Sequence, residues 1–448
     1  AEESSTGSWI VGRGWHQEKW SNVPEPNVEG FPVHKSLSQA SPDNPVLLTH
    51  ASGHASFANA TAMKMAGVTS RTEAPSGGEI LKDAKGQPTG LFRETASGLI
   101  RKALAESRNQ RSEAEIEAEK LQVIELATEE CLSKGVTSFH DAGSPYQLVD
   151  LLKELADKGE LGVRLYVMLS ESNSALKENI AQYHLIDHAE GMLTVRSIKR
   201  LIDGALGARG AWLLEPYSDL ETSTGLNTTS VESIEETAAI AVANGFQLCV
   251  HAIGDRANRE TLDIFQAAFE NNPEKRDLRW RIEHAQHIDP ADIPRFAELE
   301  VIAAMHGIPA TSDGPWVVPR LGEKRSSEGA YVWRSLIDSG ALIGNGSDAP
   351  VEDVDPLLGY YATVTRVLND GSTFYPEQCM TREQALRSYT LDAAYSAFEE
   401  DVKGSLTPGK LADIVVLSQD IMTVPEEEIR NTRVLTTIVG GQVLFESD

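Results

Sequence analysis

The sequence predicts an α/β protein: a parallel (β/α) barrel joined to a small β domain. Three observations predict it. Seven apolar, β-branched-rich runs recur between residues 135 and 350, each followed by a helical stretch. Several of those runs end on an ionisable side chain, where α/β enzymes keep their chemistry. After residue 396 the texture changes to short strands with Gly/Pro turns and no helices between them. The clearest unit is GFQLCVHAIGDRAN, 245–258. Its apolar run ends on His251, a Gly254-Asp255 turn follows, and Leu262, Phe265 and Phe269 then repeat at helical spacing.

Residues 1–110 read as an irregular subdomain. Within it PVLLTHASGHASFANATAMKMAG reads as a strand and a short helix, and PSGGEILKDAKGQPTGLFRE as a hairpin. Ser112 and Glu115 form a capping box, and the helix they open carries Ile116, Val123, Ile124, Ala127 and Cys131 on one face. The strand candidates are 135–143, 161–169, 194–204, 245–255, 278–286, 300–307 and 341–350. That is seven, where a closed barrel of this class needs eight. A helix at 382–399 leads into GSLTPGKLADIVVLSQD and VLTTIVGGQVLFE. The expected organisation is therefore a subdomain over 1–110, a barrel over 111–395 and a β domain over 396–448.

The balance of 40 Lys+Arg against 67 Asp+Glu gives a net charge of −27, which argues against nucleic acid or an anionic membrane as partner. A small-molecule substrate is the expected partner, with a homodimer left open. Cys131, Cys249 and Cys379 are odd in number and far apart, so no disulfide framework is implied. No apolar run approaches the roughly 18 residues of a membrane span. A cytoplasmic location is expected, with a periplasmic or secreted one as the alternative, because the chain starts at Ala1 without a methionine.

The strand ends carry the chemistry. Lys199 lies within 194–204, His251 and His284 sit at the ends of the next two runs, and Asp348 closes the last. On one barrel all four face the same mouth. Two neutral imidazoles and a carboxylate suit a borderline cation such as zinc, and Asp348 is placed to accept a proton from an acidified water. Each residue alone has a plainer reading: a hydrogen-bonded structural histidine, or a lysine in an ion pair. Their order on successive strands is what points to a metal.

That order, Lys-His-His-Asp, resembles the metal-dependent amidohydrolase superfamily, and the local motifs are similar to its YtcJ-like branch (amidohydrolase family 3), which includes N-substituted formamide deformylases. The phrases that carry the likeness are GRGWHQEKW, GHASFANATAMKMAG, IKRLIDGALGARGAWLLEPYSD, CVHAIGDRAN, RIEHAQHI, GSDAPVEDVDPLLGYYATVTR and TPGKLADIVVL. The resemblance implies a distorted TIM barrel with a β-sandwich, and a hydrolase acting on a C–N bond with one or two divalent ions, zinc foremost. It implies that His251 and His284 bind one metal, that a carboxylated Lys199 bridges to a second, and that Asp348 is both ligand and base. Asp203 and Arg209 would line the pocket, or else form a loop ion pair.

One departure stands out. The superfamily's first barrel strand carries a His-x-His pair, and none of the eleven histidines here has a partner two residues away. Three readings follow: a chain whose first strand lies upstream, replacement of that strand by one bearing His50 and His54, or a site reduced to one metal. A catalytically impaired remnant or binding protein is the alternative to an enzyme. His306, in AAMHGIPATSD, stands where relatives have a different pattern; it is expected to contact substrate, to complete a metal site or to cap the barrel rim. Trp15, Trp212 and Trp316 are candidates for a pocket wall or for core packing.

Overall fold

In a computed structural model of the chain, residues 5–108 and 111–447 are described. They form two compact units: residues 1–120 with 203–230, and residues 121–202 with 231–448. The excursion 203–230 falls inside the range expected for the barrel, yet it belongs with the N-terminal unit.

The first unit is more regular than its sequence suggests. Strands β1 (Ile10–Trp15), β2 (Val46–His50), β3 (Ala55–Ala58), β4 (Gly78–Lys82) and β5 (Pro88–Glu94) form one sheet in the order β1-β2-β3-β5-β4. β1 runs parallel to β2 and the other pairings are antiparallel. Helix α1 (Ser97–Arg108) follows β5, and its Ile100 and Leu104 pack with Leu47, Met63, Ile80 and Phe92. Phe31, Phe57, Leu81 and Leu91 make a second apolar cluster. The sequence missed this sheet because its strands are short and joined by long polar turns, which weakens a period-two signal.

The second unit carries the seven strands. After helix α2 (Glu113–Ser133) come β6 (Ser138–Ser144), β7 (Arg164–Leu169), β8 (Leu193–Leu201), β9 (Gln247–Ala252), β10 (Arg281–His284), β11 (Ile302–His306) and β12 (Ile343–Gly346). They form a parallel path in chain order from β6 to β12, and a short strand, Leu185–Asp187, pairs antiparallel with β8. No described pairing joins β12 to β6, so the sheet is a curled half-barrel. The curl is tight enough for Arg281 on β10 to reach His140 on β6, Nη1 to Nδ1, at 3.1 Å. Burial pushes His140 well below the usual histidine range and Arg281 adds to it, so this inner polar group is neutral.

Helix α3 (Asp255–Asn271), which follows β9, shows why the strands recur with helices. Its Leu262 and Phe265 are fully buried, and Phe265 and Phe269 pack on Trp280 at centroid distances of 4.9 and 5.1 Å. Each such side chain contributes roughly 1.5–3 kcal/mol of burial. Asn258 on α3 donates to the carbonyls of Ala252, Gly254 and His287, tying the helix start to the exits of β9 and β10.

Helix α2 starts at the expected capping box, with Ser112 N donating to Glu115 Oε2 at 2.8 Å and Glu115 N to Ser112 Oγ at 3.3 Å. Its apolar face, however, is not covered along its length. Cys131 and Leu132 are buried, while Leu121, Val123 and Leu126 are exposed. The small β domain appears as a three-stranded antiparallel sheet of β13 (Ile414–Leu417), β14 (Val434–Val439) and β15 (Gln442–Glu446). Thr437 Oγ1 on β14 donates to Leu132 O at 2.7 Å. The three cysteines are free thiols, and burial pushes Cys249 up to about 12. No described helix is long and apolar enough to cross a membrane.

Candidate metal centre

The C-terminal ends of β9, β10, β11 and β12 bring the second unit's chemistry together. Pairing register places His251 beside Leu201 on β8 and Glu283 on β10, with His284 beside Ala252. The rings of His251 and His284 meet edge-on at 4.3 Å between centroids, and those of His284 and His306 at 4.8 Å. One ligand atom each from His284, His306 and Asp348 lies within 4.8 Å of the others. Of the described residues, these three are the group able to hold a metal ion.

Backbone geometry aims them. His284 has φ +74°, Ala285 +43° and Asp348 +59°, left-handed values that residues with a Cβ rarely adopt. Strain of this kind, about 1–3 kcal/mol per residue, persists where surrounding structure fixes it and clusters at functional sites. Asn345 supplies some of that fixing. Its Oδ1 accepts from the amides of Gly307 (3.1 Å) and Gly346 (3.0 Å), and its Nδ2 donates to Thr363 Oγ1, so one side chain joins the exits of β11 and β12.

The donor set fits a divalent ion. His306 Nδ1 is buried and has no hydrogen-bond partner, a costly state for an imidazole nitrogen unless something else occupies it. A Cβ at Gly346 would stand 3.3 Å from that nitrogen, so the glycine keeps the approach open. Two imidazoles with a carboxylate match the preferences of zinc-like cations. Lys199 lies on β8, paired with Cys249 two residues before His251, and its side chain is almost fully buried. Its ammonium makes no hydrogen bond among the described residues.

Carboxylates surround the same strand exits. Ser312 Oγ donates to Glu352 Oε1, linking the segment after β11 to the loop after β12. Tyr331 Oη donates to Asp313 Oδ2 at 2.7 Å, and Gln286 Nε2 lies 3.4 Å from the same oxygen. Burial raises the Tyr331 phenol well above its usual range and Asp313 adds to it, so it acts as a donor at neutral pH. Next to Gln286, burial pushes His287 down to about 3, with Arg325 contributing.

Of the residues singled out in the sequence, His251, His284, His306 and Asp348 come together and Lys199 lies on the adjoining strand. Asp203 and Arg209 belong to the first unit. Asp203 is buried and accepts from the Trp212 amide at 2.8 Å; Arg209 pairs with Asp219 at 3.0 Å and donates to Glu29 O. Trp316 is buried, and Trp15 stacks on Trp20 at 5.9 Å. His50 and His54 lie in the first unit. Asn345, Gln286, Asp313 and Tyr331 were not foreseen. Asn345 had a usable signal, its place in the GNGSD run, whereas Asp313 and Tyr331 meet only through folding.

A model of the amidohydrolase family matches residues 1–445. Among curated proteins, the chain is 32% identical to Protein LONG AFTER FAR-RED 3 of Arabidopsis thaliana, over 99% of this chain and 75% of that one. It is 30% identical to the putative amidohydrolase YtcJ of Bacillus subtilis (strain 168), over 98% and 80%. It is 26% identical to N-substituted formamide deformylase of Arthrobacter pascens, over 98% and 79%. An uncharacterized metal-dependent hydrolase from Pyrococcus horikoshii superposes with a TM-score of 0.70 at 27% identity, covering 94% of this chain and 79% of that one. The half-barrel, its donor-bearing strand ends and the match along nearly the whole sequence agree: the chain belongs to the amidohydrolase family, a family of metal-dependent hydrolases with a TIM-barrel-like fold.

Proposed function

We propose that the protein hydrolyses a C–N bond of amide or formamide type in a small molecule, using a divalent ion, zinc foremost, held at the ends of β9 to β12. The convergence of His284, His306 and Asp348 within 4.8 Å carries this reading, and the likeness to a formamide deformylase supports the bond type. The bound ion would act as a Lewis acid and bring the pKa of water toward neutrality. His284 and His306 would hold it as neutral imidazoles, with His251 packed on His284 as a further donor. Asp348 is the base: its carboxylate takes the proton from the attacking water and returns it to the leaving nitrogen. Lys199, once carboxylated, would present two more oxygens from β8. Tyr331 and Gln286, anchored on Asp313, are donors that orient a substrate carbonyl.

The test is metal content by plasma mass spectrometry on protein purified without added metal, together with turnover on a panel of amides and N-substituted formamides. One or two zinc equivalents per chain, with turnover abolished by chelator and restored by zinc, is the expected result. Protein that carries no metal and turns over nothing with zinc added would be a remnant scaffold, and the proposal would fail.

A further inference from the structure

We propose that Arg366 is a positioning residue for His284: its buried guanidinium holds the segment that clamps the strained turn after β10. The inference rests on the reading of His284 as a metal ligand, and it adds a residue that touches neither metal nor substrate.

The left-handed backbone at His284 and Ala285 persists only where neighbouring structure fixes it. A short antiparallel pairing supplies that fixing. Segment 286–288 lies against segment 329–331: Tyr331 N donates to Gln286 O at 2.7 Å and Ile288 N to Gly329 O at 2.9 Å, with His287 and Ala330 paired between them. The two backbones approach so closely that a Cβ at Gly329 would stand 2.4 Å from Ile288 O. On its other side the 286–288 segment is tied to the exit of β9, where His287 N donates to Ile253 O at 2.9 Å.

Tyr331 is itself left-handed, φ +51°, so the clamp needs holding in turn. Its carbonyl accepts from Trp333 N at 2.9 Å and from Arg366 Nη1 at 3.0 Å. Arg366 caps the C-terminus of α4 (Pro356–Thr365). Its Nε donates to Phe374 O at 2.6 Å, and Phe374 N donates back to Arg366 O at 3.0 Å. The guanidinium lies 4.6 Å from the Trp333 ring centroid and 5.2 Å from that of Phe374. The side chain is fully buried, its Nη2 has no hydrogen-bond partner, and among the described residues no carboxylate pairs with it. Burial pulls it down to about 10, which leaves it charged at neutral pH. A buried charge without a counter-ion is costly. What this one does is bridge two carbonyls with its planar fork and stack on two rings, a task a point charge performs poorly.

Helix α4 reaches both halves of the donor set. Its Thr363 Oγ1 accepts from Asn345 Nδ2 at 3.2 Å, and Asn345 ties the exits of β11 and β12. Its capping Arg366 acts on the exit of β10 through Tyr331 and Gln286. One helix therefore registers His284 against His306 and Asp348.

The test measures zinc affinity of the full chain by competition with a chromogenic chelator, and the visible absorption of the cobalt-substituted protein, whose bands report ligand geometry. Arg366→Met removes the fork and keeps an unbranched stem; it is expected to weaken zinc about tenfold and to alter the cobalt bands. Arg279→Met is the control. Arg279 lies two residues before β10, at the opposite end of that strand, and its guanidinium also stacks on rings, 3.7 Å from Tyr395 and 4.6 Å from Phe398. Its loss should lower the melting temperature and leave zinc affinity and the cobalt bands in place. Gly329→Ala presses a Cβ onto Ile288 O, so it disturbs the same clamp without touching the buried charge and should weaken zinc similarly; it decides the matter where Arg366→Met does not fold. Unaltered zinc affinity and cobalt bands in folded Arg366→Met or Gly329→Ala, or an equal loss in Arg279→Met, would overturn the proposal. Parent protein that binds no zinc would remove the metal centre itself, and this inference with it, whereas parent and variants binding zinc equally would remove Arg366 alone.

Discussion

The two units use histidine in opposite ways. In the first, His16 and His50 have their Nδ1 atoms fixed by backbone amides two residues on, and the rings lie 4.5 Å apart as struts under a sheet. In the second, His284 and His306 turn their rings toward each other and toward a carboxylate, and a buried nitrogen of His306 has no hydrogen-bond partner. Folding satisfies buried polar groups almost everywhere. A ring held by a backbone amide beside it stiffens its own loop, whereas a ring nitrogen left open beside a carboxylate is one a metal ion can use. In both units the histidines stand at the ends of parallel-paired strands, β1 and β2 in the first and β9 to β11 in the second, so the contrast lies in what each ring meets: a backbone amide two residues on, or another ring and a carboxylate.

Substitutions can break this comparison. The largest effect is expected at Asp348. Asp348→Asn should lower turnover by about a thousandfold or more, within the range general base catalysis supplies, while thermal melting by circular dichroism stays close to that of the parent. Wild-type rates in that variant would remove Asp348 from the chemistry. His306→Ala should next reduce metal stoichiometry measured by plasma mass spectrometry, whereas His50→Ala should leave it unaltered. Asn345→Ala keeps every donor but unties β11 from β12, so metal affinity should fall about 10- to 100-fold in a competition titration with a chromogenic chelator.

His50→Ala reports on the other side of the contrast. It strands Gln17 and Ser52, and denaturant titration should show a loss of about 1–3 kcal/mol. A smaller, pH-dependent effect comes from His287. Its folded value of about 3 lies below the ordinary 6.5, so the unfolded chain binds a proton that the native one does not. Stability should therefore fall as pH drops from about 6.5 toward 3, by up to about 1.4 kcal/mol per pH unit from this residue. His287→Gln should flatten the slope in urea melts at pH 4 to 7, and an unchanged slope would assign the acid sensitivity elsewhere.

The parallel strands were legible because most are short runs buried along most of their length and each is followed by a helical stretch, a signal carried by consecutive positions; β6, only partly covered, is the exception. His251, His284 and Asp348 were legible for the same reason, since they are the punctuation of those runs. His306 was visible as an unusual residue, although its partners were not. Other features lie beyond a linear reading. The first sheet is built from short strands separated by long turns, and Glu94 meets His54, Gly204 and Gly210 only once the 203–230 excursion returns to the N-terminal unit. Helix α2 shows the converse error. The expected face of Ile116, Val123, Ile124, Ala127 and Cys131 is not what the helix buries: its apolar side chains are spread around it, and only Cys131 and Leu132 near its end are buried.

That exposure has a colloidal consequence. Leu121, Val123 and Leu126 expose apolar side chains around the helix on a particle whose net charge is −27. At low ionic strength the repulsion between like-charged particles reaches about 30 Å and keeps such side chains apart; at about 1 M salt it reaches about 3 Å and no longer does. Sulfate and phosphate also strengthen apolar association. The protein should therefore be most soluble in dilute chloride buffers and should self-associate in concentrated sulfate, with light scattering rising as salt is added and falling again on dialysis.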